Sequence, residues 1–247
     1  MRKLPLKVFI VSIIQLTFST ISFSQSLVAD TGTSPAVKNA VSYYNSLFSE
    51  QLHLYNGKEY KDYVQTFTEG QPYFEGTSFI VGTVDYDGSR YQDVSILYNT
   101  VTDNVIILSD NKISKINLIK EKVKGFSILG HTFVNLASDS TISTEMSPGF
   151  YDVLASGTLT LLAKRRKTMQ ANTRQTVEWR VYSKDHYYLK KNNVYHSISN
   201  KNDLLDEVAD RRKDVQQYIK QNKLKFGKDP ESVMIKVVEY YNQLNKK

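Results

Sequence analysis

Residues 82–98 read GTVDYDGSRYQDVSILY and carry the clearest structural signal in the chain. Asp87-Gly88 stands between two runs of residues that favour strands. An Asp-Gly pair provides the positive φ angles of a two-residue hairpin turn. The stretch therefore predicts two antiparallel strands joined by a tight turn.

Similar turn signals recur on both sides of this hairpin, within residues 59–198. They fall at Thr102-Asp103-Asn104, Asp110-Asn111, Gly125, Gly130, Ser156-Gly157 and Asn192-Asn193. Between them lie short β-forming runs, and no helical stretch separates these runs as the crossovers of a parallel sheet would. We predict an antiparallel β-meander, in the form of a sheet, a sandwich or a partly closed barrel.

Helical periodicity flanks the β-rich region. Apolar residues recur every three or four positions from Val37 to Phe48, which predicts an N-terminal helix over residues 35–52. The tail predicts a helical pair within residues 202–245. Its first helix has Asn202 or Asp203 as cap and ends at Gly227, and its second begins at Asp229-Pro230. The predicted fold class is α+β.

The first 24 residues predict export. A basic head at residues 2–7 precedes an apolar run, and the small side chains of Ser22 and Ser24 suit cleavage before Gln25. Polar residues after Ile14 dilute the run below what a spanning helix needs. We therefore favour a cleaved signal peptide over a retained anchor, and we expect the mature chain in the periplasm or outside the cell without a transmembrane anchor.

Composition narrows the classes of function. The 247 residues include no cysteine, which removes disulfides, thiolate metal sites, cysteine nucleophiles and a lipid-modified cysteine. Removal of residues 1–24 takes away three basic residues and no acidic ones, so the formal charge falls from +7 to +4. That mild excess does not favour a nucleic-acid partner. We divide the rest into a flexible lead, residues 25–34, and one domain, residues 35–247.

Several segments of the chain resemble exported proteins of unknown function from Gram-negative bacteria. They are residues 188–195 (YLKKNNVY), Asp203-Leu204-Leu205, Tyr218-Ile219-Lys220 and residues 238–242 (VEYYN), with residues 149–154 (GFYDVL) and 161–164 (LLAK) in the middle. The resemblance implies an exported protein and carries over no activity, cofactor or catalytic residue.

Metal-ligand patterns are weak. The four histidines are His53, His131, His186 and His196. None has a second histidine at helical ligand spacing, so ordinary hydrogen bonds are favoured over a metal site. Asp85 and Asp87 invite a calcium-loop interpretation, but Arg90 occupies the position where an EF-hand has glycine. We predict a turn-forming role for these aspartates and no metal or cofactor.

The densest positive cluster is Lys164, Arg165, Arg166 and Lys167. Such a cluster can contact phosphate or an anionic glycan. A nucleic-acid surface normally adds aligned aromatic residues or a reading helix, whereas this run passes into the polar residues 168–176. We therefore favour a solvated hairpin end, with binding of an anionic partner as the alternative.

No nucleophile elbow, Ser-x-x-Lys pair or phosphate-binding glycine loop stands in a suitable context. Acidic pairs for glycoside hydrolysis can still come from distant strands. The leading hypothesis is a non-catalytic binding or interaction module of the cell envelope that presents an aromatic-rich surface to a protein, a glycan or an apolar ligand. The alternatives are a hydrolase acting on envelope or extracellular polymer and a carrier of a small apolar ligand with a barrel-like sheet.

Overall fold

The structure, a computed structural model, describes residues 39, 53–109, 111–136, 146–172 and 177–245. The strands and helices named below belong to the unit formed by residues 45–247. The predicted signal peptide, residues 1–24, and the lead, residues 25–34, lie outside the described residues. So does the helix predicted over residues 35–52, except for the helical Asn39.

Eleven strands form one large antiparallel sheet in the described part of the chain. The strands of the whole unit are β1 (Lys58–Glu59), β2 (Phe67–Glu69), β3 (Ile80–Tyr86), β4 (Ser89–Asn99), β5 (Asn104–Leu108), β6 (Lys115–Asn117), β7 (Val123–Ile128), β8 (His131–Asn135), β9 (Phe150–Ala155), β10 (Leu159–Lys164), β11 (Lys167–Asn172), β12 (Glu178–Ser183), β13 (His186–Lys191) and β14 (Val194–Ile198). The order across the large sheet is β1-β6-β5-β4-β3-β7-β8-β9-β10-β13-β14. The predicted meander is confirmed, and the sheet is open, with β1 and β14 as its edges.

Two-residue turns connect three of the hairpins. Asp87-Gly88, Leu129-Gly130 and Asn192-Asn193 all have positive φ angles at both positions, from 50° to 85°. This is the turn geometry whose twist matches that of paired strands. The predicted hairpin at Asp87-Gly88 is confirmed.

The turn predicted at Gly125 is wrong, because this glycine lies inside β7. A Cβ atom there would lie 2.6 Å from the carbonyl oxygen of Phe133 on β8. Gly125 therefore allows a close approach of two strands and does not end one.

A second, three-stranded sheet has the order β11-β12-β2. The chain leaves the large sheet after β10, forms the β11–β12 hairpin and returns as β13. Strand β2 pairs with β12 in parallel, with Phe67 opposite Trp179. This parallel pair is an exception within the predicted, mainly antiparallel fold, because β2 comes from a distant part of the chain and no hairpin joins it to β12.

The aromatic residues form the interior of the large sheet. Tyr86, Tyr98, Phe133 and Phe150 are at most 1% exposed. Phe133 stacks on Phe126 with ring centroids 4.6 Å apart. Rings of this size each bury about 150–250 Å², so these four residues contribute to the core. The expected aromatic-rich surface stays a prediction.

Three helices follow the strands: α1 (Lys201–Glu207), α2 (Arg212–Gln221) and α3 (Pro230–Leu244). The predicted first helix is divided by a 3₁₀ turn at Ala209–Arg211. Its cap is Asn200, whose side chain accepts hydrogen bonds from the next turn while the Asp203 side chain accepts from the backbone of Asn200. Helix α2 ends before Gly227, because Lys223 adopts a left-handed conformation with φ 54°.

Helix α3 packs against β9 and β10. Its predicted cap is confirmed, since Asp229 accepts a hydrogen bond from the backbone of Ser232. Near its end the buried Asn242 accepts a hydrogen bond from the Leu159 amide and donates one to the Leu159 carbonyl, both 2.8 Å. The Asn242 side chain thus binds β10 as a neighbouring strand would. No helix among the described residues has the length and apolar character needed to cross a membrane.

We predict that Asn242→Leu lowers the free energy of unfolding by about 2–4 kcal/mol, because it leaves two buried backbone groups of Leu159 without partners. Gln243→Leu, at the exposed neighbouring position of α3, is the matched control and should change it little. Urea denaturation monitored by circular dichroism measures both. Equal effects of the two substitutions would contradict the role given to Asn242.

Candidate functional site

The basic cluster at residues 164–167 does not form one solvated surface. Lys164 and Arg165 are 7% and 9% exposed. Arg166 is exposed, and Lys167 is half-buried with its Nζ 3.1 Å from the carbonyl oxygen of Gln71. The predicted solvated hairpin end is therefore wrong for Lys164 and Arg165. Binding of an anionic partner stays a prediction, which now concerns chiefly Arg166.

Arg165 lies among three carboxylates, and we call Arg165, Asp152, Asp185 and Glu231 the Arg165 cluster. Its Nη2 lies 2.7 Å from Asp152 Oδ2, and its Nη1 lies 2.7 Å from Asp185 Oδ2 and 2.6 Å from Glu231 Oε2. Asp152 comes from β9, Asp185 from the residue before β13, and Glu231 from the first turn of α3. One guanidinium thus connects two strands of the large sheet with a helix.

Electrostatics keep Arg165 and Glu231 ionised. Burial opposes the charge on Arg165, but hydrogen bonds with Glu231, Asp185 and Asp152 raise its pKa above the ordinary value. Burial likewise opposes the charge on Glu231, yet Arg165 lowers the pKa of that carboxyl below its usual range. Glu231 is therefore ionised at neutral pH and is not suited to act as a general acid.

His131 extends this cluster. Its Nδ1 lies 2.8 Å from Asp152 Oδ2, and Asp152 is fully buried. A histidine held by a buried carboxylate has the geometry of a general base. Here, however, the same carboxylate oxygen also accepts from Arg165 Nε and Nη2. The adjoining cleft, lined in part by Arg165 and Asp185, measures about 60 Å³, far below the roughly 300 Å³ at which ligand pockets begin. The arrangement fits a structural cluster.

Lys164 points into a different cluster. Asp103 Oδ2 lies 2.8 Å from Lys164 Nζ and 2.5 Å from Lys120 Nζ, and Asp103 Oδ1 accepts from the hydroxyl of Tyr98 at 2.7 Å. Burial raises the pKa of Asp103, but the two lysines and the Tyr98 hydroxyl outweigh it and lower that pKa. Lys164 on β10 and the next residue, Arg165, therefore bind two separate internal groups of carboxylates.

A larger cleft lies beside β4. It measures about 390 Å³, within the range of small-ligand pockets. We call it the β4 groove, and its lining includes Leu54, Tyr55, Arg90, Asp93, Ser95 and Lys112.

One wall of the β4 groove is a strand edge. On one side β4 pairs with β3 over Ser89–Ile96, whereas on the other side β5 pairs only with Ile96–Asn99. Among the described residues no strand pairs with Gln92–Ser95 on that second side. Backbone donors and acceptors of an unpaired edge are available to an added strand.

A β-bulge shapes this wall. Tyr91 lies opposite Val84 and Val94 lies opposite Gly82, so β4 has one more residue here than β3. Asp93 lies in this bulge, and its backbone adopts the left-handed region with φ 55°. Because of the bulge, Tyr91 and Val94 both point inward, each 8% exposed. Non-glycine residues in this backbone region cost about 1–3 kcal/mol and cluster at functional sites.

The rim of the β4 groove is charged. Arg90, Asp93 and Lys112 are all exposed. Arg90 has Asp85 nearby, but the atoms are 3.8 Å apart and both side chains are exposed, which makes a weak pair. Leu54 belongs to the lining but is only 2% exposed. The groove combines a charged rim with a backbone edge.

Asp87 and His196 both pair with charged side chains of their own chain. Asp87 accepts from Lys122 Nζ at 2.7 Å, and its backbone forms the hairpin turn. His196 lies 3.2 Å from Glu207. Within the described ranges, no group of three or more acidic, histidine or cysteine side chains is arranged to hold a metal ion.

The sequence matches no family model, no curated protein and no solved structure. The assignment of function therefore rests on the geometry of this chain.

We predict that Arg165→Met destabilises the protein by about 3–5 kcal/mol, because a buried charge is left without its partner. Arg165→Lys retains the charge without the planar guanidinium and should lose less stability. Thermal unfolding and urea unfolding measure the difference. A loss for Arg165→Met no larger than that for an exposed Arg166→Met control would contradict a central role for Arg165.

Stability should also depend on Glu231 at acid pH. Its folded-state pKa is lowered from the ordinary 4.5, so its contribution is complete above that value and is lost as the pH falls through the folded-state pKa. We expect the stability of Glu231→Gln to decline less below about pH 4.5 than that of the wild type. Glu239→Gln, on the exposed face of the same helix, should retain the wild-type slope. Parallel slopes for all three proteins would contradict this prediction.

Proposed function

We propose that this chain is an exported, non-catalytic binding protein of the cell envelope whose β4 groove receives an extended polypeptide segment. The observation that carries the proposal is the edge of Gln92–Ser95, which opens onto a cleft of about 390 Å³. Export is supported by the basic head and apolar run of residues 1–24.

Strand addition suits this groove because the edge offers main-chain hydrogen bonds and the lining offers side-chain contacts. The edge comprises the four residues Gln92–Ser95, with Asp93 of the bulge inside it. Arg90, Asp93 and Lys112 would select charged side chains at its margins.

The two alternative functions have less support. Hydrolysis by a carboxylate pair needs a protonated acid, whereas Arg165 keeps Glu231 ionised. Carriage of a small apolar ligand suits an enclosed apolar cavity, whereas the β4 groove has three exposed charged residues on its rim.

Site-directed cross-linking tests the proposal, since any introduced cysteine is unique in this cysteine-free chain. Ser95→Cys in the groove is labelled with a maleimide benzophenone and irradiated with envelope fractions of the source cells. Ser156→Cys, on the exposed β9–β10 turn, is the matched control. We expect polypeptide adducts from position 95 and not from position 156.

The cross-linked segment is then made as a synthetic peptide. Strand addition predicts that it slows amide hydrogen exchange within residues 92–95 and little elsewhere. Absence of adducts at Ser95, equal adducts at Ser156, or adducts of a glycan or lipid would each overturn the extended-polypeptide proposal. Turnover of an envelope polymer by the purified protein would support the hydrolase instead.

A further inference from the structure

The small sheet ends in a strand edge that lacks the usual protection. β11 pairs with β12 over six residues without a register shift, from Lys167 opposite Ser183 to Asn172 opposite Glu178. In the part of the chain that the structure describes, β12 is the only strand paired with β11. A regular edge of this kind is a template for another strand.

The other terminal strands of the two sheets, β1, β2 and β14, each carry a feature that discourages pairing. β1 has two residues, both charged, and β2 has three residues with a register shift and the charged Glu69. β14 continues almost directly into α1, and its His196 lies 3.2 Å from Glu207 at the end of that helix. Short strands, charges, irregular register and flanking helices all limit edge-to-edge association.

β11 has none of these features over Thr168–Ala171, which read Thr-Met-Gln-Ala. The stretch has no charge, no proline and no glycine, and Gln170 is exposed. The one charged residue of the strand, Lys167, directs its Nζ to backbone carbonyls of Gln71 and Tyr73. This lysine is therefore engaged within its own chain and does not protect the edge.

We infer that β11 pairs antiparallel with β11 of a second copy of this chain, about a two-fold axis near Gln170. Pairing about such an axis brings a strand against itself, so any charge near the axis meets a like charge, which is unfavourable. An uncharged centre removes that penalty. With Gln170 opposite its counterpart, Met169 lies opposite Ala171 of the second copy.

The remainder of the small sheet is compatible with this pairing. On β12, Arg180 lies 3.7 Å from Glu178 and 3.6 Å from Glu69 on β2, so neighbouring charges of the sheet are of opposite sign. Joining two copies converts two three-stranded sheets into one six-stranded sheet, and three strands are near the lower limit for a stable sheet. The inference is independent of the β4 groove, which lies on the other sheet.

Sedimentation velocity over a range of protein concentrations tests the inference. We expect a reversible dimer in the wild type and a dissociation constant raised about tenfold or more in Gln170→Lys, which places two like charges at the axis. Ser197→Lys puts the same charge at an exposed position on β14 and should dimerise as the wild type does. Circular dichroism confirms that both variants are folded.

A unique cysteine gives a second readout. Facing Cβ atoms of antiparallel strands lie about 4.5–5.5 Å apart, so Gln170→Cys should form a covalent dimer under mild oxidation and Ser197→Cys should not. A wild type that stays monomeric at all concentrations would overturn the inference. So would a dimer that Gln170→Lys leaves unchanged, or equal oxidation at positions 170 and 197.

Discussion

The contact between Arg165 and three carboxylates determines how the two sheets are connected. Strands β10 and β13 are direct neighbours, with Lys164 opposite His186, yet the β11–β12 hairpin is inserted between them in sequence. Arg165 precedes the hairpin in sequence and Asp185 follows it, and a 2.7 Å ion pair joins these two residues. Glu231 adds the first turn of α3 to the same guanidinium. The positions of the small sheet and of the last helix therefore depend on one buried cation.

Much of the fold could be predicted from the sequence, because it is encoded locally. The turn at Asp87-Gly88 needs only two residues with positive φ, and the cap at Asp229 needs only a carboxylate before a helix. The Arg165 cluster was missed because its members lie up to 79 positions apart, at Asp152 and Glu231. A signal did exist in the apolar run of residues 150–154, where Asp152 is a charge in the middle of a buried strand and so requires a partner.

The β4 groove was also missed, for a different physical reason. It arises where the eleven-residue β4 extends past the five-residue β5, and sequence patterns give strand existence better than strand length. The bulge did leave a trace, since Tyr91, Val94 and Ile96 are apolar at a spacing of three and then two. Strict alternation would place Tyr91 and Val94 on opposite faces, and only an extra residue puts both inside. The left-handed conformation of Asp93 therefore follows from burying both Tyr91 and Val94, which lie on either side of it in the sequence.

The edges of β4 and β11 differ in the charges that an added strand would meet. The β4 edge is bordered by Arg90, Asp93 and Lys112, so its rim carries charges of both signs, which can select the charge pattern of an added segment. The centre of β11, Thr168–Ala171, has no charge. Pairing of β11 with its counterpart therefore meets no like charge at the axis. The proposed ligand of β4 and the proposed self-association of β11 thus depend on the different charges of the two edges.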